Sequence, residues 1–138
     1  CRALGPDPLV VVTAPGHPLA GAASVHFTQT LSHPWVAWGE HGALATHLQL
    51  RAAALGLPLR AVVHHPAIAT VLRLVARGVG ITVLPRALVQ ADAAVGVVAC
   101  VPLAEHWAAR RLLACHAADG DGARGRLVQA LQRGWPAP

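Results

Sequence analysis

The stretch VLRLVARGVGITVLPR, residues 71–86, decides the fold. An amphipathic run stops at Gly78, and ITVLP, a short apolar run with β-branched residues, begins at Ile81. The pattern reads as a helix that turns directly into a buried strand. Gly78 can take φ > 0 at the helix end, and Gly80 allows close helix–strand packing. The corner therefore predicts a βαβ unit, with Pro85 closing the strand.

Outward from this corner, strands and helices alternate. LVVVT (9–13) is a continuous β-branched run, the mark of a strand covered on both faces. WVAW (35–38) and LRAVVH (59–64) are further short strands. ALATHLQLRAAALG (43–56) is rich in Ala and Leu and ends at Gly56, which predicts a helix. Ser24 is expected to cap a short helix through about Leu31. Pro66 suits the first turn of the helix that continues to Gly78. A short helix, RALVQAD, follows Pro85. The pattern then changes. GVVACVPL (96–103) and RRLLACHA (110–117) read as strands, ADGDG (118–122) as a turn, and ARGRLVQALQRGW (123–135) as a terminal helix. Alternating elements with short connections predict an α/β domain with a mainly parallel sheet flanked by helices.

Composition bounds the function. At 138 residues with 54% apolar and 12% charged residues, the chain can build a real core and is not disordered. No apolar run reaches the roughly 18 residues of a membrane helix. CRALGPDP lacks the basic start and apolar stretch of a signal peptide. The expectation is a soluble, cytoplasmic protein with no membrane partner. The net charge of +5 comes entirely from arginine, since lysine is absent. Apart from the adjacent Arg110 and Arg111 and a loose triplet near the end, these arginines are scattered from Arg2 to Arg133. That is a base-composition bias in the coding DNA, not the clustered patch of a nucleic-acid binder. Cys1, Cys100 and Cys115 form no C-x-x-C pair and no disulfide framework, and read as small buried hydrophobes.

Enzyme chemistry finds little to work with. The six carboxylates fall mostly in loops, with no spacing that suggests an acid/base pair. Ser24 and Ser32 are the only serines, and neither lies in G-x-S-x-G. GVG (78–80) precedes a strand instead of following one, so it cannot cradle a dinucleotide phosphate. Nine histidines raise the question of a metal, but His64–His65 and His41/His47 lack ligand spacing and accompanying thiolates or carboxylates. No catalytic residue, metal or cofactor is expected.

One constellation remains. The helices over 43–56 and 67–77 begin just after strands on the same side of a parallel sheet, where ligands bind in open α/β folds. Helix starts there expose unpaired N–H groups. The expected ligand-facing residues are Trp38, Gly39, Glu40, His41, Gly42, Ala43, His64, His65 and Pro66.

The ordered set LVVVTAPGHPLA, HPWVAW, a helix ending ALGLP, and LVARGVGITVLP resembles the second half of the effector-binding domain of LysR-type transcriptional regulators. The match covers nearly all of residues 8–134. The resemblance implies a type 2 periplasmic-binding-protein fold, two α/β lobes hinged around a cleft. Residues 1–11 would hold the start and a crossover strand. Residues 12–102 would form the second lobe. Residues 103–138 would return a strand and helix to an incomplete first lobe. It further implies a non-enzymatic sensor that binds a small-molecule effector in the cleft and acts as a homo-oligomer. DNA would be contacted only through a helix-turn-helix region, which this chain does not contain, as it lacks the front part of the first lobe. The chain thus reads as a piece or remnant of a longer regulator. Ala43 supplies no hydroxyl to the cleft wall, so His41, His64 and His65 would provide its polarity. Two rivals stay open: a solute-binding protein of the same fold in transport, and an enzyme on a related two-lobed scaffold.

Overall fold

The computed structural model describes residues 1–116 and 122–135. The elements run β1 (Arg2–Pro6), β2 (Leu9–Thr13), α1 (Phe27–Thr30), β3 (Trp35–Trp38), α2 (Ala43–Ala54), β4 (Ala61–His65), α3 (Ile68–Ala76), β5 (Thr82–Pro85) and α4 (Arg86–Ala94). There follow β6 (Ala99–Pro102), a 3-10 turn (His106–Ala108), β7 (Arg111–Ala114) and α5 (Gly122–Gly134). The turn expected over 118–122 lies outside the described residues, except for Gly122, which opens α5.

The central ladder is β5–β2–β6, with β2 antiparallel to both neighbours. β3 and β4 pair in parallel, and a parallel bridge from Trp35 to Ile81 joins them to the β5 side. The strands therefore follow the order β4–β3–β5–β2–β6. The expected mainly parallel sheet is corrected at β2. That strand leads in from β1 and enters from the opposite end, so it needs no crossover helix to pair with β5 or β6. β1 pairs antiparallel with β7 as a separate two-stranded ribbon, and α5 lies on it through Gln132 Nε2, which donates to the Ala3 carbonyl at 2.7 Å.

The period-two alternation of β2 divides the core. Leu9 and Val11 join one cluster with Phe27, Leu31, Trp35, Leu48 and Ala52, under α1 and α2. Val10 and Val12 join the other with Val71, Leu72, Val75 and Val89, under α3 and α4. All five β2 residues are buried, as its unbroken apolar run requires. Trp35 is the largest fully buried side chain, and its Nε1 donates to the Thr30 carbonyl at 3.0 Å. An indole this deep needs such a partner.

The corner at 78–80 has the expected left-handed turn. Gly78 has φ +78°, a left-handed backbone after α3. Its N–H donates to the Val75 carbonyl, and the Val79 N–H donates to Leu74. Gly80 serves a different contact from the one expected. A Cβ there would lie 2.7 Å from the Pro34 carbonyl oxygen, so the close approach is to the start of β3, not to a helix.

Three local expectations are corrected. Ser24 does not cap α1, because Val25 is drawn into a parallel bridge with Leu103. The Phe27 N–H is instead accepted by Glu105 Oε1 at 2.8 Å. Pro66 lies outside α3, whose N-cap is Ala67. Cys1 and Cys115 are not small buried hydrophobes: they form a disulfide with Cα atoms 4.0 Å apart. The β1–β7 register puts Arg2 opposite Ala114 and so brings the two flanking cysteines together. Spacing along the chain could not show a pairing 114 residues apart. Cys100 remains free and partly buried, and burial raises its thiol pKa.

Candidate functional site

Two depressions adjoin at the carboxyl ends of β3, β4 and β5. The larger, of about 420 Å³, is lined by Trp38, Gly39, the first turn of α2 from Gly42 to Ala45, Pro66, Pro85 and Arg110. The second, of about 320 Å³, is lined by Gly39, Glu40, His64, His65 and Pro66. They share Gly39 and Pro66.

The register of β3 and β4 builds this arrangement. Trp38 stands opposite His65, which puts the two strand ends side by side. The Gly39 N–H donates to the His65 carbonyl at 3.0 Å, and Trp38 Nε1 donates to the Pro66 carbonyl at 2.9 Å. His65 Nδ1 accepts the Ala67 N–H at 3.0 Å. Its Nε2 is then left to carry the proton of the neutral ring. α2 opens on Gly42, which has no side chain with which to cap the helix. The first bond back to Gly42 is made by Thr46. The N–H groups of Ala43, Leu44 and Ala45 are the orphan donors of the helix start.

Of the nine residues singled out from sequence, eight line one or both depressions. His41 lines neither. Its side chain is exposed, with Nε2 3.7 Å from the Glu40 carboxylate. A pair so exposed contributes little. A third, much smaller cavity of about 30 Å³ lies beneath α2, with Leu44, Leu48, Leu59 and Val83 in its wall. It has room for about one water molecule, not a metabolite.

Sequence reasoning missed Arg110. Nothing near it in the chain marks it, because its partner is 103 residues away. Arg110 Nη2 donates to Asp7 Oδ2 at 2.9 Å, and Nε donates to the Asp7 carbonyl at 3.3 Å. Asp7 is only 4% exposed. Its other oxygen, Oδ1, accepts the Ala87 N–H at the start of α4 at 3.2 Å. Arg110 also bears on His47 of α2. Burial lowers the His47 pKa, and the positive charges of Arg51 and Arg110 lower it further. The His47 ring meets Trp107 edge-on at 5.1 Å, and Arg51 lies over the same indole at 5.3 Å.

Among the described residues, no group of three or more His, Cys, Asp or Glu side chains is placed to hold a metal ion. No helix among them is long and apolar enough to cross a membrane.

The model of the LysR substrate binding domain matches residues 1–135. A search of curated proteins found no match. Solved structures are similar in fold. The effector binding domain of QuiR in complex with shikimate has a TM-score of 0.68 at 18% identity, over 95% of this chain and 62% of that one. The regulatory domain of NMB2055 (MetR), a LysR family regulator from N. meningitidis, has a TM-score of 0.71 at 19% identity, over 96% and 61%. The BenM effector binding domain with its effector benzoate has a TM-score of 0.72 at 19% identity, over 96% and 60%. The chain thus spans about three-fifths of the length of these domains.

Proposed function

Since the chain belongs to the LysR substrate-binding domain family, we propose that it is the ligand-sensing part of a LysR-type transcriptional regulator and binds a small metabolite in the depressions at residues 38–45 and 64–67. The observation that carries this reading is the family match over residues 1–135, with a ligand-sized hollow at the carboxyl ends of the strands. The match also favours a regulator over the solute-binding protein that the sequence left open. The proposed ligand-facing residues are Trp38, Gly39, Glu40, Gly42, Ala43, His64, His65 and Pro66, to which Arg110 is added. His41 keeps a place at the rim only.

In this reading residues 12–102 form the second lobe. Residues 1–11 and 103–138 carry the crossover strands and the part of the first lobe held here. The protein is read as a cytoplasmic sensor without catalytic activity, and DNA contact is assigned to a helix-turn-helix region, not to the effector-binding residues 1–135. A homo-oligomer is supported by exposed apolar side chains: Leu50 and Leu55 in and just after α2, Leu57 beyond it, and Val62 on the edge strand β4. The test is a titration of isotope-labelled protein with a library of small metabolites. A binder that shifts backbone signals of 38–45 and 64–67 supports the reading. Binders that act only elsewhere overturn it.

A further inference from the structure

Within that reading of the depression as the effector site, we propose that its ligand is a small carboxylate and that Arg110 is the residue that selects it. Three observations carry this. First, Arg110 lines the larger depression with most of its hydrogen-bonding capacity unused. A guanidinium has five N–H donors in a rigid fork. Asp7 takes one from Nε and one from Nη2, which leaves three. Second, Asp7 fixes the plane of the fork. The acid is buried and anchored to α4, whereas the Arg110 side chain is 35% exposed. An arginine held along one edge loses little further freedom when a planar carboxylate docks on another. Third, the rest of the wall suits an organic anion. Trp38, Leu44, Pro66 and Pro85 offer apolar surface for its body. Among the described residues no carboxylate lines this depression: Glu40 belongs to its neighbour, and Asp7, the partner of Arg110, is not in its wall. The open start of α2, in the same lining, adds positive potential.

The structure also says what the ligand would feel. Asp7 lies between β1 and β2, and Arg110 between the 3-10 turn and β7. The anion therefore touches the joint through which both strands of the β1–β7 ribbon connect to the main sheet.

The experiment uses matched pairs of probes: benzoate against benzamide, and cyclohexanecarboxylate against its primary amide. Binding to the chain is followed by backbone and Arg110 Nε–H resonances. The acids are expected to shift residues 42–45 and 66–67 together with the Arg110 Nε–H. Their affinity should exceed that of the amides about tenfold or more, the factor one charge-assisted hydrogen bond is worth. Arg110→Gln should remove that preference, and Arg110→Lys should restore part of it. Should Arg110→Gln fail to fold, Arg110→Lys decides instead: it keeps the charge beside Asp7 but loses the planar fork, so an acid preference undiminished in it overturns the role of Arg110. Amides that bind at the depression as well as the acids overturn the carboxylate inference but leave the effector-site reading standing. Acids that shift signals only outside the depression overturn both.

Discussion

The Arg110 guanidinium grips Asp7 at 2.9 Å while the Arg110 carbonyl accepts the Asp7 backbone N–H at 3.0 Å. Side chain and backbone together clamp the two segments where the chain passes between the sheet and the β1–β7 ribbon. The same aspartate holds the start of α4 through Ala87. Three elements thus converge on one buried carboxylate.

Replacing Asp7 by Ala removes a helix cap and leaves Arg110 without its counter-charge. A cap is worth about 1 kcal/mol and a hydrogen bond to a charged group about 1.5–3 kcal/mol. The expected loss is therefore about 2–4 kcal/mol, read from the urea midpoint. A loss below about 0.5 kcal/mol, typical of an ordinary surface substitution, would show that the clamp does not hold the joint.

The corner at 78–80 separates two kinds of glycine. At Gly78 nothing lies within 4 Å of an added Cβ, so the cost there is backbone strain alone. Gly78→Ala should cost about 1–2 kcal/mol, the left-handed penalty of an L-residue, and Gly78→Asn less. At Gly80 a Cβ collides with the backbone of Pro34 and Trp35. Gly80→Ala should therefore destabilise more than Gly78→Ala. The reverse order in thermal unfolding would contradict the packing of β3 against the residues just before β5.

The thiols give a direct count. With Cys1 and Cys115 joined, the folded protein presents one free thiol, Cys100. Burial raises the Cys100 pKa; Arg86 opposes this shift and Asp92 adds to it. It should react slowly with iodoacetamide at neutral pH until the protein is unfolded. Adding dithiothreitol should release two further thiols and lower stability by about 2–4 kcal/mol, as expected when a large closed loop is opened. Three rapidly alkylated thiols before reduction would disprove the pairing.

Acid should weaken the fold through two histidines. Burial and then His33 lower the pKa of His17, as burial and two arginines lower that of His47. Both rings therefore stay neutral in the folded state at pH values where an unfolded imidazole, with a pKa of about 6.5, takes up a proton. Their stabilising effect is complete above that value. It is lost as pH falls from it toward the depressed folded values. The unfolding midpoint should drop between pH 7.5 and 5.5, and the drop should shrink in His47→Gln. A midpoint flat across this window, or an equal drop in the variant, would count against the assignment.

Local signals carried most of the fold into the sequence, and long-range ones did not. The run at Leu9–Thr13 and the glycine at 78 announce a buried strand and a helix end because each depends on its own residues. The direction of β2 was not legible, because it depends on where the chain enters the sheet. Nor was the disulfide, which follows from the β1–β7 register. The site divides in the same way. Trp38 to Ala43 and His64 to Pro66 sit at strand ends that the alternating pattern locates. Arg110 joins them only through folding, and no neighbour in the chain points to it.

The central position of β2 bears on how the chain is made. Val11 lies opposite Val83 on one side and Val101 on the other. During synthesis from the amino end, the most apolar strand of the protein leaves the ribosome long before either partner exists. It must stay unpaired until most of the chain has emerged, and the β1–β7 ribbon, whose ends meet last, closes later still. Pairings this distant in sequence make folding slow and leave early apolar segments open to aggregation. β2 therefore finds its second partner only once residue 102 is free, and LVVVT is the apolar segment left open until then.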